Sequence, residues 1–160
     1  MLKSGEIPLR VTHNDTKLNN VMIDAKTGKA RAVIDLDTVM PGCSGYDFGD
    51  SIRFGCNSGA EDEPDLEKVY FKFDLFESYS KGYLSTLKNI TKAEKSQLAF
   101  CAILMTYECG MRFLADYLDG DVYFRTKREN HNLDRARTQF KLVSDMEKQL
   151  DKMEKLIASL

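Results

Sequence analysis

From Leu98 to Tyr107 the chain is apolar on nearly every side of a helix, and this run restricts the fold more than any other feature. A helix with one apolar stripe lies on a surface. One that is apolar all round must be covered on several sides, at the centre of a bundle. Its start is marked by Thr91-x-x-Glu94, a capping box whose hydroxyl and carboxylate satisfy free amides of the first turn. Asp119-Gly120-Asp121 ends it, which predicts a helix over about 92–118.

Further helices flank it. Leu75, Phe76, Tyr79 and Tyr83 share one face of a helix predicted from Asp74 to about Leu87. Over about 130–158, apolar residues recur in steps of three or four, from Leu133, Ala136 and Phe140 onward to Leu160. The step from Val143 to Met146 breaks the heptad phase, so this stripe should dock on the bundle rather than form an independent coiled coil. A non-catalytic helical module, binding a partner through the outer side of this helix, is the competing reading. His131 is expected to cap or lie at the surface, and Tyr107, Phe113, Tyr117 and Phe124 to pack in the core.

The first third reads differently. Val21-Met22-Ile23 and Ala30-Arg31-Ala32-Val33-Ile34 are strand-like, and the Lys-Thr-Gly between them signals a turn, predicting a β-hairpin. Met40-Pro41-Gly42 should stop any strand, and Tyr46 to Phe54 predicts a short helix. Residues 55–65 are small, acidic and turn-prone, the signature of an exposed loop. The expected fold is mostly α with a small β-hairpin (α+β). It forms a single domain over 1–160, with the loop and hairpin at 8–54 and a helical bundle at 74–158.

Composition narrows the function. The 160 residues are 42% hydrophobic and 30% charged, with a formal charge of −2, a balance that suits one soluble globular core. That charge lacks the basic footprint of a nucleic-acid binder. Met1 to Arg10 does not resemble a secretory signal. The stretch Leu98 to Met105 falls well short of the roughly 20 apolar residues that span a bilayer. A cytoplasmic monomer without membrane or nucleic-acid partners is expected. The four cysteines form no Cys-x-x-Cys pair, so they read as inert thiols, with Cys101 and Cys109 on one buried helix face.

Chemistry concentrates between Val11 and Ile23, where His13, Asp15 and Asn20 follow the His-x-Asp-x-x-x-x-Asn spacing of a kinase catalytic loop. Phosphoryl transfer needs an Asp to accept the proton of the attacking hydroxyl and an Asn oxygen for magnesium. A second oxygen ligand should come from an Asp beyond the next strand. Asp35, at the end of the hairpin in Val33-Ile34-Asp35-Leu36-Asp37, is returned beside Asn20. Asp47-Phe48-Gly49 spells the magnesium-binding triplet of protein kinases, but it follows Pro41-Gly42 rather than a strand. The metal is therefore assigned to Asp35, and Asp47 is expected to cap its helix and tie it to the catalytic loop.

The segments His13 to Asn20, Val33 to Asp37 and Tyr46 to Asp50 resemble the aminoglycoside phosphotransferase-like kinases. Arg112 to Leu118, Tyr123 to Arg125 and His131 to Arg135 make the chain most similar to the N-acetylhexosamine 1-kinases among them. The resemblance runs from about Pro8 to Leu150. It implies a protein-kinase-like C-terminal lobe in which Asp15 is the catalytic base. Asn20 and Asp35 would hold Mg2+ against the phosphates of ATP, and His13 and Asp47 would support the loop. Asp37 is a further candidate metal ligand. Arg53 and Arg125 are candidates for sugar or phosphate contact, or for plain ion pairs. The implied reaction carries the γ-phosphate of ATP to the anomeric hydroxyl of GlcNAc or GalNAc.

Departures from the protein-kinase pattern matter too. Asn14 replaces the Arg of that loop, and no Ala-Pro-Glu element follows. No glycine-rich phosphate loop appears, and only about ten residues precede the catalytic loop. The N-terminal nucleotide lobe is thus expected to be absent, and the chain alone inactive. An aminoglycoside, choline or another sugar is the alternative acceptor, and the acidic loop at 61–67 would suit a cationic one.

Overall fold

The computed structural model describes residues 1–160. Its elements run β1 (Arg10–Thr12), β2 (Val21–Ile23), β3 (Ala30–Val33), β4 (Met40–Gly42), α1 (Ser44–Gly55), α2 (Phe73–Thr86), α3 (Lys92–Leu118) and α4 (His131–Ser159). The fold is α+β, mostly helical with two small antiparallel sheets. β2 pairs with β3 as the expected hairpin, Val21 opposite Val33. The second sheet departs from expectation. Met40-Pro41-Gly42 does not end a strand but forms β4, with Pro41 opposite Val11 of β1. Both strands of a two-stranded sheet are edges, so a residue lacking an N–H is tolerated there.

α3 follows its sequence signals. Thr91 Oγ1 accepts the Glu94 amide at 3.1 Å, and Glu94 Oε2 accepts the Thr91 amide at 2.8 Å. The helix packs between α1 and α4, whereas α2 lies against α1 and α4. α1, not α2, is therefore the cover on its second side. The crossing is close: an ideal Cβ at Gly49 would stand 2.3 Å from the Cys101 carbonyl oxygen. One edge of α3 stays open, with Phe100, Tyr107, Met111 and Leu118 exposed. The expectation of cover on nearly every side holds for two sides only.

Phe48, Ile52, Phe76, Leu98, Leu142 and Met146 form the centre of the core and expose no surface. The α4 stripe docks as expected, burying Ala136, Val143, Met146, Met153 and Ile157. Cys101 is buried and Cys109 half-buried; all four cysteines are free. Burial pushes the Cys101 thiol up to about 12 and that of Cys109 up to about 11, as suits unreactive sulfur.

Two local expectations are corrected. His131 is 1% exposed, not a surface residue: its Nδ1 accepts the Lys127 amide at 3.0 Å and its Nε2 meets Asp62 at 2.9 Å. Residues 55–65 are not a freely exposed loop. Cys56 is buried, the Ser58 amide donates to the Tyr70 carbonyl at 3.1 Å, and Glu61 reaches Arg53. Acidic side chains that find buried cationic partners draw the loop onto the bundle.

Candidate active site

The loop that carries His13, Asp15 and Asn20 leaves β1 and is fastened from two directions. From α1, Asp47 accepts the amides of His13 and Asn14, each at 2.8 Å. Thr16 Oγ1 donates to the Asp47 carbonyl at 2.6 Å. From the segment after β3, His13 Nε2 meets the Ile34 carbonyl at 2.9 Å and Thr38 Oγ1 donates to the His13 carbonyl at 2.6 Å. Asn14 takes a left-handed φ of 63°, which short polar side chains tolerate. α1 begins at Ser44 with Cys43 as its cap, so Asp47 does not cap its helix. It ties the helix to the loop, and that half of the expectation stands.

The Asp47-Phe48-Gly49 triplet is fully engaged in structure. Asp47 holds loop amides, Phe48 packs against Phe76 and Tyr83, and Gly49 permits the α1–α3 crossing.

Asp15 is positioned by its own loop. Asn20 Nδ2 donates to Asp15 Oδ2 and to the Asp15 carbonyl, both at 2.8 Å, and Lys17 Nζ lies 2.8 Å from Asp15 Oδ2. Partial burial opposes ionisation of Asp15, but the bonds from Lys17 and Asn20 outweigh it and hold the carboxyl below its ordinary range. Asp15 is therefore ionised at neutral pH.

Asn20 is buried, and its side-chain oxygen has no hydrogen-bond partner. Its carbonyl accepts the Ile34 amide at 3.0 Å, which brings Asp35 next to it in the chain that follows β3. Asp35 has a left-handed φ of 64° and an unbonded side chain. The charges of Asp35 and Asp50 both act on Lys17, so these groups share one neighbourhood. Asp37 is exposed in the turn after Asp35. No three His, Cys, Asp or Glu side chains cluster as a metal cage. The donors present are instead one amide oxygen and one carboxylate, a set that fits a hard cation completed by phosphate and water.

A cleft of about 550 Å³ opens from Asp15. Asn14 and Lys17 line it on the loop side, Asp50, Arg53 and Glu61 from α1 and its following loop, and Arg112, Phe113, Tyr123, Phe124, Arg125 and Arg135 from the C-terminal half. Arg53 is 6% exposed; its Nε bonds Asp50 at 2.8 Å and its Nη1 bonds Glu61 at 2.7 Å. Burial works against its charge, and the surrounding Cys109, Asp50 and Glu61 groups overcome this. Arg125 stands exposed at the rim, with no carboxylate partner. Phe113 and Phe124, expected only as core, also line the cleft. Lys17, Arg112, Tyr123 and Arg135 line it as well, beyond the site residues that the sequence motifs mark. The spacing of Lys17, two after Asp15, was the available signal for the first. The others meet the cleft only through the packing of α3 and α4.

Residues 2–80 match the model of the phosphotransferase enzyme family. The match supports an aminoglycoside phosphotransferase-like chain and, more generally, a phosphotransferase. Such a family implies ATP as co-substrate and typically a divalent metal. The matched segment holds Asp15, Asn20, Asp35 and Asp47, while the Arg112–Arg135 wall of the cleft lies beyond it.

Proposed function

We propose that this chain is the acceptor-side lobe of an ATP-dependent sugar kinase that phosphorylates the anomeric hydroxyl of an N-acetylhexosamine, GlcNAc or GalNAc. The observation that carries the reading is an ionised carboxylate, Asp15, at the mouth of a cleft and hydrogen-bonded to Asn20. Asp15 takes the hydroxyl proton, the sugar oxygen bonds the γ-phosphorus, and the bond to the ADP oxygen breaks. Lys17 holds Asp15 in its anionic form before the proton moves. Asn20 and Asp35 would hold Mg2+, with Asp37 beside them. Such an ion neutralises phosphate charge. His13 and Asp47 keep the loop in place, and Arg53 shapes the cleft through its ion pairs.

The surface around the loop supports a second body that supplies the nucleotide site. Leu9, Val11, Leu18, Met22, Val33 and Met40 are all exposed, Val11 by 82%. They lie on or beside the two small sheets that flank the loop, where a second body would cover them. The chain alone is expected to be inactive, in line with a nucleotide lobe lying elsewhere. We further propose a cytoplasmic monomer with no nucleic-acid or membrane partner.

A different acceptor within the same family is the second reading. A cationic acceptor such as an aminoglycoside or choline drew on the acidic loop, yet Glu61 pairs with Arg53 and Asp62 with Arg128 and His131. Arg112, Arg125 and Arg135 line the same cleft. This charge pattern favours an uncharged sugar. The test is turnover of GlcNAc or GalNAc with ATP, in the presence of the nucleotide-binding lobe. Asp15→Asn should reduce it by about a thousandfold; equal turnover by both proteins overturns the reading.

A further inference from the structure

Three segments of the C-terminal half, 112–118, 123–125 and 131–135, take no part in the transfer chemistry, yet the fold gathers them around one carboxylate. Asp116 is 5% exposed and accepts four hydrogen bonds. Its Oδ1 takes the amides of Val122 and Tyr123 at 3.0 and 2.7 Å. Its Oδ2 takes the Phe124 amide at 2.9 Å and Asn132 Nδ2 at 2.8 Å. The chain can turn its amides back toward α3 because Gly120 and Asp121 adopt left-handed φ values of 92° and 59°.

Asn132 carries the second arm. Its Nδ2 also donates to Asp121 Oδ1 at 2.8 Å, and its Oδ1 accepts Arg135 Nη1 at 2.9 Å. The Arg135 guanidinium lies 5.3 Å from the Phe113 ring centre and has no carboxylate partner; its Nε is buried without any hydrogen bond. Phe113 and Phe124 stand 4.7 Å apart, as do Tyr123 and Phe124. All four side chains line the cleft onto which Asp15 opens. Burial works against the charge of Asp116, but the three amides and Asn132 overcome it and keep the carboxyl below its ordinary range.

We propose that Asp116 is the positioning residue of the acceptor site: by holding the 122–124 amides and Asn132, it fixes Tyr123, Phe124 and Arg135 as one wall and sets acceptor affinity without touching the reacting atoms. This rests on reading the cleft as the acceptor site. Packing alone leaves a surface turn after a long helix free to fray, whereas an anion bonded to three successive amides does not.

Amide hydrogen exchange and binding of N-acetylglucosamine and N-acetylgalactosamine, measured on the full chain and on its Asp116→Asn and Asn132→Ala variants, test the inference. In Asp116→Asn, a side-chain NH2 faces other donors. Exchange at 122–124 should rise about 100-fold and the acceptor Kd about 10-fold, with exchange over 142–146 in α4 unchanged. Asn132→Ala frees Arg135 and removes the Asn132 bonds to Asp116 and Asp121 but leaves the three amides on Asp116, so it should weaken acceptor binding with a much smaller rise in exchange at 122–124. That variant also keeps the inference testable if Asp116→Asn does not fold. Unchanged exchange at 122–124 in folded Asp116→Asn overturns the inference. So does native acceptor affinity in both variants, because a purely structural residue would lower thermal stability and leave affinity alone. Failure of the unsubstituted chain to bind either N-acetylglucosamine or N-acetylgalactosamine overturns the functional reading instead. The exchange measurement then still decides whether Asp116 holds the wall.

Discussion

The carboxylate of Asp47 sits between two main-chain amides of the loop after β1, His13 N and Asn14 N, at 2.8 Å from each. A helix of the bundle thereby fixes Asn14, the residue that precedes Asp15. Asp47→Ala removes both acceptors and leaves two amides to find water, each worth about 1.5–3 kcal/mol as a bond to a charged group. With the nucleotide lobe supplied, transfer should fall by about 100-fold while helical content is kept. Asp47→Asn retains one acceptor and should lose less. Circular dichroism beside turnover rates checks both.

Gly49 stands where no side chain fits. Its Cβ would meet the Cys101 carbonyl oxygen at 2.3 Å and Met105 Cγ at 2.7 Å, and the first of these is backbone. Gly49→Ala must push α1 off α3, a cost of about 1–3 kcal/mol. Urea unfolding should show a lower midpoint with an unchanged slope. Gly55→Ala, whose Cβ would meet nothing within 4 Å, is the control and should not lower it.

Lys17 and Asn20 depress the carboxyl of Asp15 against a desolvation effect of opposite sign. The base is lost only as pH falls through that depressed value, so the acid limb of the rate profile should lie below the ordinary carboxylate range. Lys17→Ala removes the first of the two favourable partners, and the acid limb should move upward. An acid limb unmoved by Lys17→Ala would separate Lys17 from the base.

Glu94 serves two masters. It closes the capping box of α3, and its Oε2 accepts Arg10 Nη2 at 2.7 Å, tying β1 to the bundle. The Arg10 bond, opposed by burial and aided by Thr91 and Ser44, lowers its carboxyl from 4.5 to about 2. A depressed folded value means the stabilisation is complete above 4.5 and is lost as pH falls toward about 2. Thermal melts across that window should show a falling Tm, with a shallower fall in Glu94→Gln. Glu94→Ala, which strands the Arg10 guanidinium and a helix-start amide, should cost about 3 kcal/mol at neutral pH.

Local signals were legible wherever one residue type at one spacing carries the whole instruction. Thr91 and Glu94 marked the start of α3, Lys-Thr-Gly marked the hairpin turn, and the hairpin register returned Asp35 toward Asn20. Pro41 misled because its meaning depends on whether its strand has a second neighbour, which only the sheet shows. His131 misled because a helix-start histidine reads as exposed until Asp62 arrives from a loop far away in sequence.

The sequence by itself determined the loop half of the candidate site. His13, Asp15 and Asn20 lie within eight residues, and Asp35 is one hairpin away, so short-range backbone geometry fixes their relation. The tertiary structure alone decided the rest. It set α1 rather than α2 against α3, left the capping position of α1 to Cys43 rather than Asp47, and assembled Arg112, Tyr123 and Arg135 into the opposite wall. Those outcomes depend on how two long helices cross, and a crossing is set by packing between residues distant in the chain, which no local pattern encodes.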